Sequence, residues 1–114
     1  MSRTSLITIF LLSWIISFHT CFAYNNNKPT LLFFTADWCV ACQIAKNDLN
    51  NDPRLSEIIK NYDVVILDLD VDKDLVKGYN VKTIPAFIIF KDGKEKNRQT
   101  GYSGGARSLY KFLK

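Results

Sequence analysis

From Thr30 to Thr35 the chain reads Thr-Leu-Leu-Phe-Phe-Thr, a nearly unbroken apolar run of the kind found in strands buried on both faces. The spacing that follows predicts a helix over Asp37 to Asn50, with Ile44, Ala45 and Leu49 on its apolar side. Asp52-Pro53 reads as an N-cap with proline at the first helical position, opening a short helix through Ile58 and Ile59. Val64 to Leu67 predicts a second strand, and the strict alternation of Asp68-Leu69-Asp70-Val71-Asp72 carries it from the core toward a polar edge. Leu75, Val76 and Gly78 suit a short helix closed by a glycine cap. Ala86 to Phe90 is a third strand, Asp92-Gly93 a hairpin turn, and Lys94 to Thr100 a polar edge strand. After Gly104-Gly105, the positions Leu109, Phe112 and Leu113 mark an amphipathic closing helix. A βαβ unit followed by a ββα unit predicts an α/β fold: a mixed four-stranded sheet with helices on both faces, joined by a right-handed crossover and a hairpin.

The first two dozen residues break this pattern. Met1 to Ala23 carries Arg3, an apolar run from Leu6 to Ile16 and the small-residue approach Cys21-Phe22-Ala23, the layout of a secretory signal peptide. A retained membrane anchor is the alternative, but Ser13, Ser17, His19 and Thr20 interrupt a stretch already short of the roughly 20 apolar residues a span needs. The expected organisation is therefore a leader over 1–23, a flexible lead-in over 24–29 and one domain over 30–114. The 114 residues suit one domain and little else. Without Arg3, fourteen of the fifteen Lys and Arg remain against eleven Asp and Glu, with no basic block, which gives nucleic-acid binding no support.

Cleavage after Ala23 would remove Cys21 and the single histidine, His19, leaving Cys39 and Cys42 in a C-x-x-C spacing. No His-dependent triad is then available, and two thiolates make only half of a closed zinc site, so no metal is expected. The pair alone is open to three readings: redox chemistry, a structural disulfide or half a metal site. Trp38 beside it, its place at a strand-to-helix junction and Thr83-Ile84-Pro85 ahead of the third strand favour redox chemistry.

With these residues the chain resembles the thioredoxin superfamily, and Ala36-Asp37-Trp38-Cys39-Val40-Ala41-Cys42 resembles more narrowly the C-terminal periplasmic domain of DsbD-type thiol:disulfide interchange proteins. The resemblance covers about Thr30 to Lys114 and implies a minimal thioredoxin fold, without the extra N-terminal strand and helix of full-length thioredoxins. It implies a cis peptide bond at Pro85, which presents the Ile84 backbone to an extended substrate chain, and a role for Gly101 in leaving room for that chain. Pro85 as an ordinary residue at a strand's start, Trp38 as core filling and Gly101 as a bulge are the plainer readings. Cys39, at a helix N-terminus, should have a lowered thiol pKa and act as the attacking thiolate; Cys42, one turn deeper, should resolve the mixed disulfide.

Two positions depart from the family. Phe33 stands where a buried acid usually helps the resolving thiol lose its proton, and Lys46 where the DsbD domain places a glutamate. Asp68 is a candidate proton acceptor in their place, against a reading as a solvated strand-end acid. The expected function is exported thiol:disulfide exchange, a periplasmic protein-disulfide reductase. A disulfide-forming oxidase and a non-catalytic peptide-binding module with a structural disulfide are the alternatives. No cofactor is expected, since Gly101-Tyr102-Ser103-Gly104-Gly105 lacks the context and spacing of a dinucleotide loop. The expected partners are oxidised protein substrates and a membrane dithiol electron donor of DsbD type, with the chain itself a monomer.

Overall fold

The computed structural model describes residues 27–114; the expected leader and the start of the lead-in lie outside the described residues. Strands β1 (Thr30–Thr35), β2 (Asp63–Asp68), β3 (Ala86–Lys91) and β4 (Lys94–Thr100) form one sheet in the order β2-β1-β3-β4. β2 runs parallel to β1, with Thr30 opposite Asp63 and Thr35 opposite Asp68, while β3 is antiparallel to β1 and β4 to β3. The helices are α1 (Val40–Asn51), α2 (Pro53–Ile58, continued by a 3-10 turn over Ile59–Asn61), α3 (Lys73–Lys77) and α4 (Gly105–Leu113).

β1 has a neighbour on each side and helices above and below, which is why its apolar run is continuous. Leu31 and Phe33 enter one core with Ala45, Leu55, Phe87, Leu109 and Leu113, under α1, α2 and α4. Leu32 and Phe34 enter the other, with Leu67, Ala86 and Ile88, and Val76 of α3 packs against it. Phe33 and Phe87 meet edge to face with ring centroids 4.8 Å apart. Each buried Leu, Ile or Phe among them contributes on the order of 2 kcal/mol through apolar transfer. The mixed α/β sheet with helices on both faces is the architecture expected from the sequence.

Three expectations at element ends are corrected. α1 begins at Val40 rather than Asp37, because the Cys39 N–H donates to Ala36 O at 3.1 Å and this turn leaves Cys39 as an extended N-cap. Ile44 is exposed, so the buried side of α1 is carried by Cys42 and Ala45 with Leu49. β2 stops at Asp68. There the Asp68 carboxylate accepts the N–H groups of Asp70 (2.8 Å) and Val71 (3.3 Å), and Asp72 Oδ2 accepts the Asp68 N–H at 2.9 Å. Aspartate side chains bonded to nearby backbone draw the chain into a turn, so the alternation over 68–72 is a turn and not a strand. Finally, α3 ends at Gly78, yet Gly78 is right-handed (φ −67°) and the left-handed residue is Asn80 (φ 54°).

Candidate functional site

The C-terminal end of β1 delivers Ala36 to the turn that starts α1, and this turn places both cysteines at the top of the sheet. Cys39 and Cys42 form a disulfide with Cα atoms 5.2 Å apart. Cys39 Sγ accepts the Cys42 N–H at 3.2 Å, serving as the helix's N-cap acceptor. The positive end of a 12-residue helix, with no acidic residue in its first turn, faces the same sulfur. Both effects favour negative charge on Cys39 once the disulfide opens. Cys42 is fully buried, whereas Cys39 retains 7% exposure. The two sulfurs are thus unequal, one at the rim of the surface and one beneath it.

Ala36, Cys39 and Cys42 form a small apolar cluster against which Ala41, Leu69 and Ile84 pack. The Ile84–Pro85 peptide bond is cis, and Pro85 is buried. Pro85 O accepts the Gly101 N–H at 2.7 Å, and Gly101 holds a φ of 78° that strongly favours glycine. Cys39, Cys42, Ile84, Pro85 and Gly101 are therefore brought to one end of the sheet. Trp38 stands over this end with 66% exposure, outside the core, and its indole Nε1 donates to Asp70 Oδ2 at 3.0 Å.

Asp68 closes β2. Its carboxylate is engaged by the turn after β2, and the residue from this segment that packs on the cysteines is Leu69. Phe33, at the position of the family's buried acid, is fully buried in the core, and Lys46 is half-buried on α1 one turn beyond Cys42.

Sequence reasoning missed two residues that hold the site's borders. Asp70 tethers Trp38 from 32 residues away, and the alternation Asp68, Asp70, Asp72 gives no sign of which acid would do so. Asp48 of α1 accepts the Tyr102 hydroxyl at 2.7 Å, pinning the loop that carries Gly101 to the helix that carries the cysteines. Burial, followed by this bond to a carboxylate, pushes the Tyr102 hydroxyl well above the ordinary tyrosine value.

A cysteine pair at a strand-to-helix turn, one sulfur at the rim and one buried, beside a cis-proline loop, makes a dithiol–disulfide site at the end of the sheet. The chain belongs to the thioredoxin-like family, whose domain, described as a thioredoxin-like domain, matches residues 23–114. It is 33% identical over 82 residues to the thiol:disulfide interchange protein DsbD of Campylobacter jejuni, covering 68% of this chain and 14% of that one. It is 33% identical over 85 residues to thioredoxin of Mycobacterium tuberculosis, covering 75% of this chain and 72% of that protein. Among solved structures, Fasciola hepatica thioredoxin superposes with a TM-score of 0.66 at 22% identity, over 87% of this chain and 90% of the other; this likeness is one of fold.

Proposed function

We propose that the protein is an exported reductase that exchanges its Cys39–Cys42 dithiol with disulfides of other proteins. The observation that carries this reading is the inequality of the sulfurs. Cys39 Sγ takes a backbone N–H at a helix N-terminus and keeps the remaining exposure, while Cys42 has none.

In the reduced protein the Cys39 thiolate attacks one sulfur of a substrate disulfide. A Cys39–substrate bond forms, and the first substrate thiolate leaves. Cys42, deprotonated, then attacks Cys39 Sγ, forming the intramolecular disulfide and releasing the second substrate thiolate. Two electrons pass to the substrate, and two protons from the dithiol or solvent complete its thiols. Ile84 packs against the sulfurs and Gly101 bonds to Pro85 beside it, which supports an extended substrate backbone lying on this side.

The oxidised pair must then be reduced by another dithiol protein, since an oxidising compartment supplies no free reductant. The relationship to an interchange protein and the leader-like pattern of residues 1–23 support a membrane dithiol donor and a periplasmic location. Electrons would enter through the face that later meets substrate.

Paired serine variants test the assignment. Cys39→Ser should abolish insulin disulfide reduction, whereas Cys42→Ser should accumulate a covalent adduct visible as a mass increase on non-reducing analysis. An adduct on Cys42 in the Cys39 variant, and none in the Cys42 variant, would reverse the roles.

A further inference from the structure

The region beside the cysteines on the β2–α3 side is apolar and acidic. The Trp38–Asp70 bond brings the 69–72 turn against the active-site tryptophan, and Leu69 already packs on the cysteine cluster. The next apolar side chains along this segment, Val71 and Leu75, are 78% and 60% exposed, and neither is used by the mechanism. They line a surface groove of about 420 Å³ with Asp72, Lys73 and Asp74. The turn is held by reciprocal aspartate caps: Asp68 accepts from Asp70 and Val71, and Asp72 accepts from Asp68. Val71 is therefore presented on a preorganised loop, which lowers the ordering cost of a ligand docking there.

Charge decides what would dock. The chain as a whole carries a net charge of +4, yet five of its eleven acids, Asp37, Asp68, Asp70, Asp72 and Asp74, sit beside Trp38 in sequence or along this turn. Lys73 is the one cation within 68–74, and Lys82 the one on the loop leading to Ile84. A local negative field beside the nucleophile in a positive protein steers cationic ligands toward it.

We propose that Val71 and Leu75, with Asp72 and Asp74 in the same groove, form a docking subsite beside the cysteines that selects oxidised proteins whose disulfide-bearing segment carries a large apolar side chain next to lysine or arginine. The proposal rests on the thiol-exchange reading above and adds to it the class of substrate. Val71 and Leu75 take the apolar side chain, and Asp72 and Asp74 face the cation.

Two synthetic disulfide-linked peptide dimers test it, one of sequence Leu-Lys-Lys-Cys and one of Leu-Glu-Glu-Cys, with hydroxyethyl disulfide as a substrate lacking flanks. The second-order rate constant of the pre-reduced protein is divided by that of dithiothreitol with the same peptide, which removes the peptide's own reactivity. At low salt the basic peptide should be favoured about tenfold. That ratio should shrink toward one near 1 M salt, where screening acts within about 3 Å. Asp74→Lys should lower the ratio severalfold, and Val71→Ser with Leu75→Ser should slow the basic peptide relative to wild type by about tenfold. Reduction of hydroxyethyl disulfide with no preference between the peptides, or a preference untouched by salt and by all three substitutions, would overturn this proposal alone. Failure to reduce any of the three disulfides would overturn the thiol-exchange reading, and this proposal with it.

Discussion

Thr35 ends β1 just before the site, 1% exposed, and its hydroxyl has no hydrogen-bond partner among the described residues. A buried polar group left unpaired costs about 1–3 kcal/mol, and valine keeps the β-branched shape without it. Thr35→Val should therefore raise the unfolding free energy by about 1 kcal/mol in urea titration; a loss of that size would mean that the hydroxyl is bonded in solution. At this scale the placement of Cys39, Cys42 and Pro85 was readable, because C-x-x-C at a strand-to-helix junction and Ile-Pro ahead of a strand mark those positions. It was opaque for Asp70, since nothing local distinguishes it from Asp68 and Asp72, and only the fold puts Trp38 within 3.0 Å of it. Asp68 shows the converse. As a short polar side chain at a strand end, it accepts backbone N–H groups two and three residues on at Oδ1, so purely local bonds hold it in the turn after β2.

Between elements, the Asp48–Tyr102 bond joins α1 to the loop leading into α4 and spans 54 positions. Tyr102→Phe removes a half-buried bond to a charged acceptor, and after allowance for solvent screening it should cost about 1 kcal/mol. The same pair fixes a pH dependence. The folded tyrosine holds its proton more tightly than an unfolded one near the ordinary value of 10.0, so its contribution is complete below pH 10 and is lost as pH rises toward the raised native value. Urea midpoints should fall more steeply between pH 10 and 11 in wild type than in Tyr102→Phe; parallel profiles would contradict this. The cap on α2 is simpler. Asp52 Oδ1 accepts the N–H groups of Arg54 and Leu55 at 2.9 and 3.2 Å, so Asp52→Ala should cost about 1 kcal/mol. That cap was legible in the sequence, as were all four strands: β1 and β3 by their buried apolar runs, β2 by its β-branched run and β4 by the Asp92-Gly93 turn ahead of a polar segment. The start of α1 and the end of β2 were not. Both are set by turns whose bonds, Cys39 N–H to Ala36 O and the aspartate caps, compete with apolar periodicity and outweigh it.

Across the whole molecule the two sheet edges are treated differently. β4 is a charged edge, Lys-Glu-Lys-Asn-Arg-Gln-Thr, with an irregularity in its pairing to β3 at Ile89/Phe90. β2 pairs only with β1 among the described residues, and Val64, Val65 and Ile66 are all exposed. A regular apolar edge invites pairing with another chain, and an edge lysine suppresses it. Ile66→Lys should raise the concentration at which light scattering detects association, with the urea midpoint nearly unchanged; equal scattering would show that β2 does not mediate association. The edge bears on handling of the protein, whereas the central claim concerns the opposite feature, the dithiol at the sheet's end. Its direct measurement is the redox equilibrium of Cys39 and Cys42 in glutathione buffers, read by alkylation and mass. A reductase requires one two-electron transition on the reducing side of about −220 mV, in the range that thioredoxins occupy. A midpoint near −120 mV would make the protein an oxidase, and a pair that stays oxidised and unexchanged throughout would make the disulfide structural; either result would contradict the account.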